Sequence, residues 1–597
     1  TEINCDTVTK KRFYDTMKRL INRVFLLFLT VVGLAACSSE DTETTGKVQQ
    51  SPANMTEFSV GDAPTRTAGE YVNGSGTDPN HVKFYWTGDD HIWVNKSTTG
   101  GTDLVKNDRS DLTAADKVER TKFFFNENLS ANTYNVRYTG SKSTKADEVV
   151  FAKEQIQDAP NDARKIGEYG DCGVAVATKM ADRKYTFNLT HKASYLVLNP
   201  YSSVHQFSTD VGVVAVFVQA DQLINGTFKF DDNGLKYNAP DRPVSTVTND
   251  TRKTTIWYYK QRFERNQLVS RTPSESLPIP ASADVTKNGI IIVLPPGEYT
   301  NVKIDYALVD QATNGCGYYR KIYKKLKLEE GKTCHFEHDI KLADFSKDDY
   351  YTWDAPVGEY FWKGHEDKQL LLPVKDPVTQ TEGFPDADTD ARWYNATPGA
   401  NTNVYQNVAT RSAKDAMTAN GAMWLAWQGT PIMDLGKMYV IHHHLYNGGV
   451  WFDTLEALRQ KTGRPASHFT DIGPTKAYGG AMIDYRKKTE TTDLATVPLN
   501  RSYADNERTP GINSNTKRMF LPARGYYDFL YRSGTTQLET PHQVVSPFFN
   551  TQGMYWTSTA FAGADGKKTA LALIIDLENH KLILRRMDKR VGAPLLK

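Results

Sequence analysis

Three consecutive histidines, His442-His443-His444, are the residues of this chain that most readily suggest a bound metal ion. In a strand, neighbouring side chains point to opposite faces, so at most His442 and His444 could converge. No C-x-x-C or Cys/His cluster has zinc spacing, and neither a metal nor a cofactor is expected. Catalytic motifs are missing too: there is no G-x-S-x-G elbow, no H-E-x-x-H and no P-loop, since Gly331-Lys332-Thr333 lacks the upstream glycine. Glycosidase carboxylates are paired in space and not by spacing, so 70 acidic residues leave a carbohydrate-active enzyme as a third alternative to the non-enzyme reading. Trp424, Trp427, Trp451 and Trp556 are the candidates for stacking on a sugar face; the competing reading makes them core residues of a small sheet domain. The calcium-sugar motifs Glu-Pro-Asn or Gln-Pro-Asp with Trp-Asn-Asp are absent, so calcium-dependent sugar binding has no support.

One further reactive group is the thiol of Cys37. It follows Met17, the cations Lys18, Arg19 and Arg23, an apolar run from Val24 to Val32, and Leu34-Ala35-Ala36. A basic flank, a short apolar core and small residues before the cut describe a secretory signal peptide over residues 17–36. With Cys directly after the cut, it resembles a bacterial lipoprotein signal, which implies a palmitate-bearing Cys37 and an outer-membrane lipid anchor before maturation. An ordinary signal with an incidental Cys is the alternative. Residues 1–16 precede Met17 and are read as upstream translation. Ser38, Ser39, Glu40, Asp41 and Glu43 form a polar tether, similar to the surface-export signal of some Gram-negative lipoproteins.

Composition bounds the remainder. About 560 mature residues suit three or four domains. Lys plus Arg number 72 against 70 Asp plus Glu, so no global field favours nucleic acid or anionic lipid, and no nucleic-acid partner is expected. Outside the signal no apolar run has transmembrane length. Tyr 31, Phe 26 and Gly 41 suit an extracellular β-protein. Setting aside Cys5 and Cys37 leaves Cys172, Cys316 and Cys334, compatible with one disulfide and a free thiol or with none.

The elements that must position these residues are mainly strands. His81 to Trp86 and Ile92 to Val94 flank Thr87-Gly88-Asp89-Asp90 and read as a hairpin; Thr121 to Phe125, Thr133 to Tyr138 and Tyr185 to Leu198 continue a β-sandwich. Val213 to Gln219, Leu223 to Phe230, the fully apolar Ile290 to Leu294, Tyr299 to Val309, Tyr318 to Leu328 and Thr333 to Ile340 form a second set. Lys321, Lys324, Lys325 and Lys327 alternate with Ile322, Leu326 and Leu328, which reads as a solvated strand face and not a polyanion site. Further on, Ala413 to Trp427 is a helix that Asn420-Gly421 could interrupt, and Trp451 to Lys461 a helix capped by Gly463. Four more strands follow: Arg518 to Tyr526, Gly553 to Thr559, Ala570 to Leu577 and Lys581 to Met587.

Thr65-Arg66-Thr67, Phe84-Tyr85-Trp86 with Gly88-Asp89-Asp90-His91-Ile92, and Phe187-Asn188-Leu189-Thr190-His191-Lys192-Ala193 together resemble the N-terminal domain of the fimbrillin family, the type V lipoprotein pilins. Pro296-Gly297-Glu298-Tyr299 and Leu326-Lys327-Leu328-Glu329-Glu330-Gly331 match that family's second sandwich. The resemblance implies export as a lipoprotein, cleavage by an arginine-specific protease between Arg66 and Thr67, loss of a first strand that contains Glu57-Phe58-Ser59-Val60, and donation of a strand by another fimbrial subunit. The bland alternative for Arg66 is an exposed loop arginine.

From Trp393 onward the chain resembles the major paralogous domain of surface lipoproteins, a C-type-lectin-like fold. The likeness rests on Phe520-Leu521-Pro522-Ala523-Arg524-Gly525-Tyr526 and Tyr555-Trp556-Thr557-Ser558; Thr557 and the ending Gly592-Ala593-Pro594-Leu595-Leu596 depart from the pattern. The expected architecture is mainly β: two tandem fimbrillin-like, transthyretin-like β-sandwiches plus a C-terminal α+β C-type-lectin-like domain. The expected segments are a tether and removable first strand (37–66), sandwiches at 67–205 and 206–345, a linker (346–390) and an adhesive domain (391–597). A globular C-terminal domain in place of a donor strand points to a fimbrial tip subunit, an adhesin binding an unidentified host or bacterial surface ligand. The alternative is an outer-membrane-anchored surface lipoprotein that binds glycan or protein.

Overall fold

The computed structural model describes residues 54–61, 68–72, 81–113, 118–238, 256–259, 263–264, 267–268, 276–347, 350–369, 379–395, 409–475, 481–489, 492–499, 517–529, 544–545, 551–563, 566 and 568–597. Among these the molecule is mainly β, with several separate sheets. It divides into two units, Thr1–Leu308 with Tyr319–Lys341, and Val309–Tyr318 with Leu342–Lys597.

In the first unit one sheet has nine strands. Its order is Leu104–Lys106, Trp93–Asn95, Thr133–Tyr138, Gly173–Ala181, Lys184–Phe187, β1 (Thr56–Val60), Lys122–Phe125 and Arg109–Ser110, with Thr190–His191 pairing off Gly173–Ala181. The two end strands are joined by Asn107-Asp108 alone. Asn107 N–H donates to Ile92 O at 3.1 Å and Asp108 N–H to Phe124 O at 2.9 Å, so each end strand's pairing with its own neighbour continues into the connection. Period-2 alternation turns Phe58, Val94, Phe123, Phe125, Val136, Tyr138, Tyr185 and Phe187 into one enclosed core.

Thr87 to Asp90 does turn, with Thr87 N–H donating to the Asp90 carboxylate at 2.7 Å. The flanking strands, however, do not pair as the expected hairpin. His81–Tyr85 pairs with Ala68–Val72, whereas Trp93–Asn95 pairs with Leu104–Lys106 and Thr133–Tyr138. Tyr138 Oη donates to the same Asp90 carboxylate at 2.7 Å, so the turn is pinned to the nine-stranded sheet and sends the chain from one sheet to another.

A second core in this unit joins Tyr71, Val82, Phe151 and Cys172 to Val197, Phe228, Ile291 and Val293. Ser194–Tyr201 is the central strand here, antiparallel to Ile290–Leu294 and parallel to Thr333–Asp339. Residues on both sides of the boundary expected at 205/206 therefore share one core. Opposite stands a sheet ordered Glu154–Ile156, Ile256–Tyr259, Val211–Gln219, Gly297–Asp310 and Cys316–Leu328. Its last strand carries Lys324, Lys325 and Lys327 in solvent, charge that discourages edge pairing. Ile322, expected on the inward side, is 62% exposed because this edge strand has little packed over it. His338 ties the strands together: Tyr306 Oη lies 2.5 Å from its Nδ1 and Tyr323 Oη 2.6 Å from its Nε2. Burial, reinforced by Lys321 and His335, pushes the His338 pKa down to about 4.

In the second unit the strands Asp493–Pro498, Lys581–Asp588, Thr569–Asp576 and Gln552–Ala560 form a four-stranded sheet. Leu571, Leu573 and Ile575 face a core that includes Met423, Leu425 and Ala426 of the helix Ala419–Gln428. Ala570, Ala572 and Ile574 face the other core, with Tyr350, Trp353, Phe361, Trp362 and Phe384. The stretch 346–390, expected as a linker, thus supplies large aromatics to this unit. Asp354, fully buried, fixes it: its carboxylate accepts from the N–H groups of Thr410 and Arg411 at 2.7 Å each, of Ala413 at 3.1 Å, and from Asn395 Nδ2 at 2.7 Å.

The helix expected from Ala413 begins at Ala419. Thr418 is its N-cap, accepting from Gly421 N–H at 3.2 Å, so Asn420 and Gly421 sit in the first turn and do not break it. Trp451 belongs to the strand His444–Asp453, and the next helix runs Leu455–Thr462 with Gly463 at φ 66 as its left-handed cap.

Candidate functional site

β1 is a five-residue strand whose sequence, Thr-Glu-Phe-Ser-Val, alternates hydroxyl and apolar groups inward with polar groups outward. It lies inside its sheet, parallel to Lys184–Phe187 on one side and antiparallel to Lys122–Phe125 on the other. Glu57 N–H donates to Arg183 O at 2.8 Å, Val60 N–H to Thr121 O at 3.1 Å and Gly61 N–H to Phe187 O at 2.9 Å. Thr56 Oγ1 donates to Glu127 O at 2.7 Å. At Gly61 a Cβ would come within 2.6 Å of Asn188 Oδ1, so a larger residue here would have to displace that side chain.

The inner face of β1 is anchored by Phe58, which has no exposed surface. Its ring stacks on Tyr185 at 4.7 Å and 13°, and meets Phe125 edge-on at 5.1 Å and Tyr134 at 6.4 Å. The outer face carries Glu57, 5% exposed, whose carboxylate lies 3.1 Å from Lys122 Nζ and accepts from Ser59 Oγ at 2.7 Å. Lys184 is the residue in register with Glu57 on the other neighbouring strand. The acid is thus paired with Lys122 of one flanking strand and shares a register position with Lys184 of the other. The arrangement is a slot that gives an extended peptide backbone partners on both edges, a ring pocket beneath and a cationic rim above.

The proposed lipidation and cleavage residues, Cys37, Arg66 and Thr67, lie outside the described residues. Trp424, Trp451 and Trp556 are buried, Trp424 with Leu458 and Phe469 and Trp556 with Tyr350 and Trp362, whereas Trp427 is partly buried against the core of Met423 and Leu571. Their indoles are engaged internally: Trp556 Nε1 donates to Tyr351 O at 3.0 Å, Trp424 Nε1 to Ile472 O at 2.7 Å and Trp451 Nε1 to Asp434 at 3.1 Å. Trp424, Trp451 and Trp556 are therefore placed as core residues, and Trp427 keeps a partly exposed surface.

His442 and His443 are not in a strand. Both have positive φ, 44 and 72, and form the two-residue turn between Ile432–Ile441 and His444–Asp453. His444 Nδ1 lies 2.9 Å from the Asp310 carboxylate. Among the described residues no group of three His, Cys, Asp or Glu is placed to hold a metal ion. Cys172, Cys316 and Cys334 are free thiols, Cys172 fully buried with its pKa raised by that burial. Sequence reasoning passed over Lys122, Lys184 and Tyr185, the residues that shape the slot. Their signal is a lysine followed by aromatic residues on each flanking strand, Lys122 before Phe123 and Lys184 before Tyr185.

No family model matches the chain, and no curated protein matches it. Among solved structures it overlaps a Bacteroides ovatus protein described as a cell adhesion candidate, with 12% identity and a TM-score of 0.27 over 47% of this chain and 92% of that one. A fimbrial protein from Bacteroides ovatus overlaps with 13% identity and a TM-score of 0.22 over 50% of this chain and 52% of that one. The fimbrial anchor protein Mfa2 from Porphyromonas gingivalis overlaps with 10% identity and a TM-score of 0.17 over 45% of this chain and 82% of that one. Overlaps of this size establish no common fold, and no functional conclusion is taken from them.

Proposed function

We propose that this chain is a fimbrial subunit of tip type, exported as a lipoprotein through Cys37, matured by cleavage between Arg66 and Thr67, and joined to its neighbour by exchange of β1 for a partner's strand. The observation that carries this reading is the position of β1: a short N-terminal strand, paired on both edges, whose departure leaves a strand-shaped slot. Arg66 follows it closely in sequence. Val591, Ala593 and Leu596 are buried in the second unit, and Met417 N–H donates to Leu596 O at 2.7 Å, so the segment after Asp588 is built into its own fold. The C-terminal region would then be the adhesive part, C-type-lectin-like by its sequence pattern.

Treatment of the full chain with an arginine-specific protease tests this. A stable product starting at Thr67, from which the β1 peptide is displaced by an added donor strand, is expected. A chain resistant at that bond, or one that keeps β1 against every donor, refutes it. The second reading, a surface lipoprotein that remains anchored at Cys37, is favoured by the depth at which Phe58 is buried, which holds β1 in place. Immunogold label confined to the envelope, with none at fibre ends, would decide for it.

A further inference from the structure

With β1 out of the slot, the outer rim presents Lys122 from one flanking strand and Lys184 from the other, without the carboxylate that now lies 3.1 Å from Lys122 Nζ and in register with Lys184. The pocket beneath loses the ring that Tyr185 stacks on and that Phe125 and Tyr134 enclose. We infer that the slot selects its incoming strand by a two-residue key: an acidic residue facing outward at the place of Glu57, followed by an aromatic ring facing inward at the place of Phe58. This rests on the strand-exchange reading and adds to it the chemistry of the partner, an extended segment with an acidic-aromatic pair.

The direction and register of the partner follow from the same residues. A strand whose acid precedes its ring must run parallel to Lys184–Phe187 to set the acid against Lys184 while the ring meets Tyr185, because Lys184 likewise precedes Tyr185. A slip of one residue turns the acid into the apolar core beside Phe123 and Tyr185, where an unpaired carboxylate is strongly disfavoured. A basic residue at the outer position would meet two lysines. The rim therefore rejects wrong partners by repulsion, and the pocket retains the right one by burial.

The test uses the full chain opened after Arg66, or at an engineered protease site in 62–66 if that bond resists. Labelled synthetic peptides covering Met55 to Gly61 are titrated against it. The peptide with Glu57→Lys is expected to bind ~10-fold more weakly and the peptide with Phe58→Ala at least ~100-fold more weakly. In the Lys122→Glu chain the preference between the Glu and Lys peptides should reverse; the exposed Lys184 supplies a second variant, Lys184→Glu, if the first does not fold. Equal binding of the Glu and Lys peptides overturns the key while leaving strand exchange intact. Failure of every peptide to bind overturns strand exchange itself, and the key with it.

Discussion

Replacing Phe58 by alanine in the uncleaved chain should loosen β1 selectively. The ring is fully buried and in contact with three aromatic neighbours at 4.7, 5.1 and 6.4 Å. Truncating a phenylalanine in such a core costs about 3–5 kcal/mol, of which ~1 kcal/mol belongs to the lost ring geometry. β1 is only five residues long, with one inward aromatic, so most of its side-chain anchorage goes with that ring. A loss of this size is comparable to the whole stability margin of many domains, and its first expression is opening of the strand that carries the mutation. Hydrogen exchange read by mass spectrometry on peptides covering residues 54–61 is the direct assay. The amides of Glu57, Val60 and Gly61, now bonded to Arg183, Thr121 and Phe187, should exchange at least ~100-fold faster, while peptides from the second unit stay unchanged. Phe58→Leu, which keeps most of the volume, should fall in between. Protection of these amides within a factor of about three of the parent chain would mean that Phe58 does not hold β1, and would remove the physical basis for treating it as a defined, displaceable element.

Other expectations follow from single sites. Because the folded pKa of His338 lies below its unfolded value of about 6.5, the folded state takes up its proton less readily; the first unit should lose up to about 3 kcal/mol as pH falls from about 6.5 through about 4. Urea melts at pH 7 and pH 4 should show that loss reduced in His338→Gln. Asp354→Ala strands three backbone N–H groups and should destabilise the second unit by about 3 kcal/mol or more; Asp354→Asn should be milder, as thermal melts would register. Cys172 should resist a water-soluble maleimide in the native chain while the half-buried Cys316 and Cys334 react first, and intact-mass measurement would reveal the order. Gly463→Ala places a Cβ in a left-handed cap and should cost ~1 kcal/mol, readable as a shift in the second unit's melting midpoint.

Strand existence was legible wherever alternation or a continuous apolar run was strong. Thr133–Tyr138 and Ile290–Leu294 lie where their patterns place them, the second buried at all five positions. Partner choice was not legible, because a turn signal such as Thr87 to Asp90 states that the chain reverses and not which strand it meets afterwards. The fate of 346–390 was hidden for a related reason: aspartates and prolines read as solvated linker, and only the burial of Asp354 beneath four donors reveals the segment as core. The histidine triplet was misplaced because two successive left-handed residues are rare outside tight turns, and nothing in His-His-His announces them. β1 itself was found from its place behind a signal and ahead of Arg66; its slot was not, since Lys122, Tyr185 and Lys184 lie far from it in sequence and meet it only through the fold.

The interior place of β1 in the nine-stranded sheet has a consequence for a subunit processed as proposed. Taking an interior strand out creates two raw borders at once, each able to template a neighbour indiscriminately. Emptied molecules would then clump in proportion to the time they wait, so processing and capture would have to be timed together. The departing segment would act, until its last moment, as the subunit's own chaperone.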